Sequence, residues 1–353
     1  MSLIRLRAEH VRCLERVELE PTDINLIFGE NASGKTSLLE AIFILGRGRS
    51  FRGPGRSAVI RDGQEILTVS GKIRRSSRDV PVGISIGRDQ PPQIRIDGES
   101  TEGLAALAEW VPVQIIDPAI HNLVDEGPGV RRRFMDWGVF HVEHRFLDVW
   151  RRYHRCMRQR NAALRGAEGQ LTAWEEQLAE AAEELAMMRD RYLERLRPHV
   201  EAVGERLLDG RPTMEHRRGW PATRSFSEAL ESSRDRDVRH GITHVGPHRS
   251  DITLGLDEKT ARGRVSRGQQ KLLAATLILG QLTHLIDDVS LRPILLLDDL
   301  PAELDKDSLT RVLDVIGTLD AQVFVTALDP GRVELSGPVS VFHVEQGKVR
   351  AVV

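Results

Sequence analysis

Ile24-Asn25-Leu26-Ile27-Phe28-Gly29-Glu30-Asn31-Ala32-Ser33-Gly34-Lys35-Thr36-Ser37-Leu38-Leu39-Glu40 is the stretch whose reading decides the fold. Leu26 to Phe28 is a short apolar run expected to be a buried strand, and Ser37 to Leu45 reads as an apolar helix. Between them Gly29-x4-Gly34-Lys35-Thr36 fits the phosphate-loop pattern G-x-x-x-x-G-K-[ST] in the strand–loop–helix context it requires. Glycine at the flanks permits the dihedrals that turn backbone N–H groups onto phosphate oxygens. The helix that follows points its positive end at the anion. The span Gly29, Glu30, Asn31, Ala32, Ser33, Gly34, Lys35 and Thr36 is therefore the expected nucleoside-triphosphate site, with Lys35 on the β- and γ-phosphates and the Thr36 hydroxyl on Mg²⁺.

The rest of the chain limits the classes open to it. Its 353 residues allow about two domains, and 40% hydrophobic with 29% charged content describes a globular protein. No apolar run is expected to serve as a membrane span, and the N-terminus lacks a signal-peptide core, so the expectation is a cytoplasmic protein without a membrane partner. Two cysteines, Cys13 and Cys156, exclude a disulfide framework. A net charge of −2 gives no global bias toward nucleic acid. Six lysines against forty-four arginines make Arg clusters such as Arg47-Arg49-Arg52 and Arg151-Arg152-Arg155-Arg158 weak evidence for a binding surface. Aromatics at 5% argue against a base-stacking platform, so any nucleic-acid contact is expected on the backbone.

Strands are expected over 4–8, 17–19 and 24–28, with Arg12 in the first turn, then over 66–73, 82–86 and 93–96 as an appended antiparallel sheet, and over 111–116. Phe146, Trp150, Tyr153, Met157 and Leu164 share one helical face. After a break at 166–169, Leu171, Trp174, Leu178, Ala181, Leu185, Met188 and Tyr192 repeat every 3.5 residues, which predicts an antiparallel helical hairpin whose far end is punctuated by Pro198 and residues 210–219, with Gly210-Arg211-Pro212 the clearest break. Residues 252–256 read as a strand, 269–285 as a long helix, 294–297 as an apolar strand, 307–316 as a helix and 323–326 as a strand. A hairpin turning at Gln346-Gly347 closes the chain. The expected organisation is a head in two parts, 1–116 and 241–353, interrupted by a helical arm over 117–240.

Ile294 to Leu297 ending in Asp298-Asp299 supplies the acidic complement of a phosphate loop: Asp298 to hold Mg²⁺ opposite Thr36, and Asp299 where a general base belongs. Ser266-Arg267-Gly268-Gln269 is a Ser/Gly turn opening a helix, a second anion site in the position of the Ser-x-Gly-Gln signature of ATP-binding cassettes. Ser266 acting only as a helix cap is locally just as consistent. Ala302-Glu303-Leu304-Asp305 follows at the distance of the cassette D-loop, and Gln114 fits the Gln that senses metal and water. Thr326 stands where transporter cassettes place a His; its hydroxyl is expected on the γ-phosphate, with slow hydrolysis as the consequence. His240, His244 and His248 recur every four residues, but Gly241 and Gly246-Pro247 break any helix there, which argues against a metal site.

These motifs, with Arg131 to Gly138, Gln159 to Leu164 and Gly246-Pro247-His248-Arg249, resemble the RecF family of bacterial recombination-mediator ATPases, relatives of the SMC-type heads. The resemblance implies an α/β ABC/SMC-type P-loop head, a mixed sheet with an appended antiparallel sheet, and an inserted helical arm. It implies ATP and Mg²⁺ as cofactors, an ATP-dependent homodimer, and double-stranded DNA next to a single-stranded gap as partner. RecR and RecO are implied as further partners in loading RecA, with DNA-stimulated, weak ATP hydrolysis. It assigns Arg12 to a phosphate-contacting loop, Gln114, Asp298 and Asp299 to metal and hydrolysis, and Ser266, Arg267, Gly268, Gln269 and Asp305 to the nucleotide of the facing subunit. Asp299 replaces the usual Glu of the wider superfamily. A transport or remodelling cassette acting on a protein is the alternative.

Overall fold

The computed structural model describes residues 1–53, 55, 57–166, 171–257, 259–333 and 337–352. In chain order its elements are β1 (Ser2–Val11), β2 (Leu14–Leu19), β3 (Ile24–Phe28), α1 (Lys35–Arg47), β4 (Ile66–Arg75), β5 (Arg78–Gly87), β6 (Gln93–Ile96), β7 (Glu99–Thr101), α2 (Ala105–Trp110) and β8 (Val113–Ile116). There follow α3 (Asn122–Asp125), α4 (Pro128–Val142), α5 (Phe146–Gly166), α6 (Leu171–Leu207), β9 (Pro212–Arg217), α7 (Phe226–His240), β10 (Asp251–Leu256), β11 (Lys259–Thr260) and α8 (Arg267–Val289). The chain closes with β12 (Ile294–Leu297), α9 (Leu300–Glu303), α10 (Lys306–Gly317), β13 (Gln322–Ala327), β14 (Val339–Glu345) and β15 (Lys348–Val352).

Two compact units result, residues 1–120 with 285–353, and residues 121–284. The expected boundary at 116/117 falls close to the first crossing. The one expected at 240/241 coincides with none: residues 241–284, Ser266 to Gln269 among them, cluster with the helical unit.

The first unit has two six-stranded sheets. One, in order β2-β1-β4-β5-β6-β7, is antiparallel throughout. The other runs β15-β14-β3-β13-β12-β8, parallel except for the edge strand β15. Helix α1 packs on β1, β4 and β5 of the first sheet and on β8 and β13 of the second. That position explains its sequence: an apolar helix with Leu38, Leu39, Ala41, Ile42, Ile44 and Leu45 all buried needs cover on every side. The parallel strands are apolar without alternation for the same reason, since both faces are covered; Ile294 to Leu297 are buried at every position. Each such leucine contributes ~1.5–3 kcal/mol by leaving water.

The second unit is mainly helical, with a small sheet β11-β10-β9. Helices α5 and α6 pack on each other as consecutive elements, in the place of the expected hairpin; residues 167–169 of the predicted break lie outside the described residues. The buried face of α5 is not the expected one. Trp150 and Met157 are only half-buried, and Val149, Cys156 and Arg160 take their place beside Phe146, Tyr153 and Leu164. On α6 the predicted positions are buried except half-buried Trp174, but so are Ala182, Ala186, Arg189, Leu193 and Leu196. That is the broad stripe of a core helix rather than a coiled-coil seam. The helix runs through Pro198, which does not end it, and stops at Leu207, just before the expected break at Gly210-Arg211-Pro212. Contrary to the expectation of no long apolar run, α8 is long and apolar enough to cross a membrane by length and composition, yet 67% of that apolar window is buried.

Arginines bind this unit together. Arg160, fully buried, donates to Asp237 at 2.8 Å and Thr243 at 2.9 Å, and Arg189 makes a two-pronged pair with Asp136 at 2.9 and 3.0 Å. Arg131 does the same with Asp251 at 2.7 and 3.0 Å. Removing one partner of such a pair is costly because a buried charge is left behind.

Tyr153 and His248 lie in the same region, 2.6 Å apart through the phenol oxygen and Nδ1. Burial pushes His248 down from 6.5 to about 4, and His154 likewise to about 4. Both folded-state values lie below the unfolded one, so the stability they contribute is complete above pH 6.5 and is lost as pH falls toward 4. Thermal unfolding followed across that window should show a falling midpoint, and His248→Gln should reduce the fall. An equal fall in the variant would contradict the assignment.

Candidate functional site

The site forms where the parallel strands end. Gly29, Ala32 and Gly34 have φ of 153°, 61° and 119°, so three positions of one short loop are left-handed. For Ala32 that conformation costs ~1–2 kcal/mol, a strain met where a loop must wrap an anion. Gly29 is required for a second reason: a Cβ there would lie 2.2 Å from the Val344 carbonyl oxygen. The Lys35 ammonium is buried and donates to Gly29 O at 2.7 Å and Glu30 O at 2.9 Å. Burial lowers its pKa, while Asp299 and Asp298 draw it back up. The Ser33 Oγ is buried without a hydrogen-bond partner among the described residues, and its O–H could donate to a phosphate oxygen.

Opposite the loop, Asp298 Oδ1 accepts from the Thr36 hydroxyl at 3.0 Å and from the Thr326 hydroxyl at 2.9 Å. The Thr326 oxygen in turn accepts from the Asp299 N–H at 2.8 Å. Thr326 is fully buried at the end of β13, where its hydroxyl holds the Asp298 carboxylate and the Asp299 backbone rather than the expected γ-phosphate. Burial raises the Asp298 pKa, with the two hydroxyl bonds opposing it. Asp299, at φ 52°, is the left-handed N-cap of α9. A hydroxyl and a carboxylate 3.0 Å apart, with an ammonium beside them, are the donor set of a hydrated Mg²⁺ carrying a triphosphate.

Two of the expected residues have protein partners of their own. Gln114 pairs in register with Leu295, two residues before Leu297, and its Oε1 accepts from Arg47 Nη2 at 3.4 Å. Arg47 ends α1, eleven residues and ~16 Å along the helix from Thr36, so Gln114 is not at the metal position. The neighbour of Asp298 on that edge is Asp117: the Asp298 N–H donates to Ile116 O at 2.9 Å, and Asp117 comes next. Arg12, at φ 53°, gives its guanidinium to buried Glu40 at 2.9 Å through two nitrogens and to the Ala58 carbonyl, which fixes its loop internally. Glu40 also accepts from Ser50.

Comparison with known proteins follows the same lines. Residues 2–350 match the family described as RecF/RecN/SMC N terminal domain. The chain is 42% identical to the DNA replication and repair protein RecF of Azotobacter vinelandii (strain DJ), over 99% of this chain and 98% of that one. It is 38% identical to the RecF protein of Shewanella baltica (strain OS155) over the full length of both. The chain belongs to the RecF family. A solved structure of the recombination mediator protein RecF with ATP superposes with a TM-score of 0.91 at 25% identity, covering 99% of this chain and 97% of that one. An SMC head bound to the C-winged helix domain of ScpA shares the fold at a TM-score of 0.59 and 15% identity, over 100% and 97% of the two chains.

In this RecF-family chain the signature turn is built as a reciprocal cap. Gln269 N–H donates to Ser266 Oγ at 3.3 Å, and Ser266 N–H to Gln269 Oε1 at 3.0 Å. Ser266, Arg267, Gly268 and Gln269 are all exposed. Asp305 caps α10 through the Ser308 N–H at 3.0 Å, which lowers its pKa. Sequence reading missed the role of Thr326 and the place of Gly347. Gly347 N–H donates to Ser33 O at 2.8 Å, so the Gln346-Gly347 turn of the β14–β15 hairpin holds the phosphate loop from outside. Its φ of 76° and the Cys13 carbonyl, 2.5 Å from a would-be Cβ, both demand glycine.

Thr326→Val keeps the volume and removes one oxygen. The Asp299 N–H and one Asp298 oxygen lose a partner, which should cost ~1–3 kcal/mol in unfolding free energy. The Mg²⁺-dependent part of ATP affinity should weaken with it, measured by titration with and without Mg²⁺. Unchanged Mg²⁺ dependence would contradict the role given to Thr326.

Proposed function

We propose that this chain is an ATP-switched DNA clamp of the recombination-mediator type. ATP binds over Gly29 to Thr36. Mg²⁺ is held by Thr36 and Asp298, with Asp117 rather than Gln114 beside them, and supplies charge neutralisation to the β- and γ-phosphates. Asp299 orients the attacking water. The observation that carries the reading is the exposed Ser266-to-Gln269 turn, which opens a 23-residue helix and has open space around Gly268. A Cβ on Gly268 would meet nothing nearer than the Ser266 oxygen at 4.0 Å. A helix start presented to solvent in this way suits a γ-phosphate brought by a second copy of the chain.

In an isologous pair, Ser266 and Gly268 of each copy then complete the site of the other, giving two equivalent sites. ADP lacks the group that the turn recognises, and this differential contact is what makes the nucleotide a switch. Hydrolysis is slow, because the shorter Asp299 stands in place of Glu and the Thr326 hydroxyl is already committed to the Asp298 carboxylate and the Asp299 backbone N–H. The paired copies hold duplex DNA beside a single-stranded gap through its phosphates. They act in the cytoplasm with RecR and RecO to promote RecA loading. The solved relative, a recombination mediator protein of the RecFOR pathway, supports this assignment.

Sedimentation velocity with ATP and with ADP checks the switch. A dimer is expected with ATP alone, and Ser266→Arg should abolish it while leaving ATP binding to the monomer intact. The same sedimentation coefficient with both nucleotides would remove the proposal. Affinity for gapped DNA should fall steeply with salt, as phosphate contacts require.

A further inference from the structure

Two of the three histidines set aside on sequence grounds come together in the fold. Helix α7 ends at His240, and Gly241 follows in the left-handed conformation at φ 66°. There the chain reverses over the last helical turn, with Gly241 N–H and Ile242 N–H both donating to Asp237 O. Glycine breaks the helix, as expected from the sequence, and by breaking it folds His244 back against His240. The stem of Arg165, 2.7 Å from a would-be Cβ on Gly241, leaves no room for another residue in that turn.

The geometry that results is that of two metal ligands. His240 Nδ1 and His244 Nε2 face each other at 3.2 Å. Two nitrogens held at 2.0–2.1 Å by a tetrahedral Zn²⁺ stand ~3.3 Å apart, so the spacing already matches. The other nitrogen of His244, Nδ1, is 2.7 Å from Asp237 Oδ1, which also accepts the His244 backbone N–H at 3.0 Å. The ring is thereby fixed with its proton on Nδ1 and its lone pair on Nε2, the tautomer and orientation that a carboxylate imposes on a metal-bound imidazole. Asp237 is itself fully buried and held by Arg160 at 2.8 Å and Ser233 at 3.1 Å, so the ring has a rigid support. His244 is nearly covered while His240 is exposed, which leaves an open side for a hydrated ion.

We propose that His240 and His244 form a binding site for a divalent transition ion of the zinc class, with Asp237 orienting His244. Imidazole pairs suit Zn²⁺, Ni²⁺ and Cu²⁺ and discriminate against Mg²⁺ and Ca²⁺, which take oxygen ligands. The site is thus chemically separate from the nucleotide metal. With two protein ligands, it keeps positions open for water or for a side chain of another molecule.

The test is Zn²⁺ titration of the nucleotide-free full-length chain against a chromophoric chelator, in wild type, His240→Ala and His244→Asn. His240→Ala replaces an exposed side chain at a helix end by a good helix former, so its unfolding midpoint should match wild type. Each variant should lose one Zn²⁺ equivalent, or bind it at least ~10–100-fold more weakly, the range that loss of even an outer partner produces. Zn²⁺ should shift the ring ¹⁵N resonances of His240 Nδ1 and His244 Nε2 in wild type. An isotherm in His240→Ala identical to wild type, or ring shifts absent at both nitrogens, would show a hydrogen-bonded pair only and overturn the proposal.

Discussion

A single carboxylate oxygen organises the nucleotide end of this molecule. Asp298 Oδ1 receives the hydroxyls of Thr36 and Thr326, and Thr326 passes the constraint on to the Asp299 backbone. These residues come from three distant segments, so their meeting depends on the parallel order β3-β13-β12. Parallel strands bring all their C-terminal ends to one edge, and the apolar runs behind them hold that edge in register. Gly347 and Val344 close the loop from the other side, which makes the last hairpin part of the site although it has no chemistry of its own.

Much of this was legible before any coordinates. The phosphate loop, the apolar strand ending in Asp298-Asp299 and the turn at Gln346-Gly347 are local patterns, and local patterns survive into the fold. What the sequence concealed are relations set by register and packing. Gln114 looked like a metal-sensing glutamine, but its place in β8 is three residues too early, and Asp117 occupies the edge instead. Thr326 looked like a phosphate contact because its strand position suggested it; only the structure shows both of its hydrogen-bonding roles already used. Arg160 was missed because a charged residue on an apolar helical face reads as an interruption. Its burial makes sense only once Asp237 and Thr243 are seen opposite it.

The signature turn depends on the same kind of packing. Gln269 is exposed, yet the next residue, Gln270, is buried and donates to Asp125 at 3.1 Å. The first turn of α8 is therefore anchored at Gln270 and closed by the Ser266–Gln269 cap, while residues Ser266 to Gln269 remain exposed. Rigid support beneath an open helix start is what a site completed by another molecule requires, since ordering it on contact would consume part of the binding energy.

The account stands on each nucleotide being held by two copies of the chain. Mixing Lys35→Ala chains, which lack the phosphate-binding ammonium, with Ser266→Arg chains, which lack a working turn, tests this directly through ATP turnover. Each is inactive alone, but a pair made of one chain of each kind contains one intact composite site, so mixing should restore turnover that neither shows by itself, at up to about half the wild-type rate per dimer. No recovery at any mixing ratio would contradict the account.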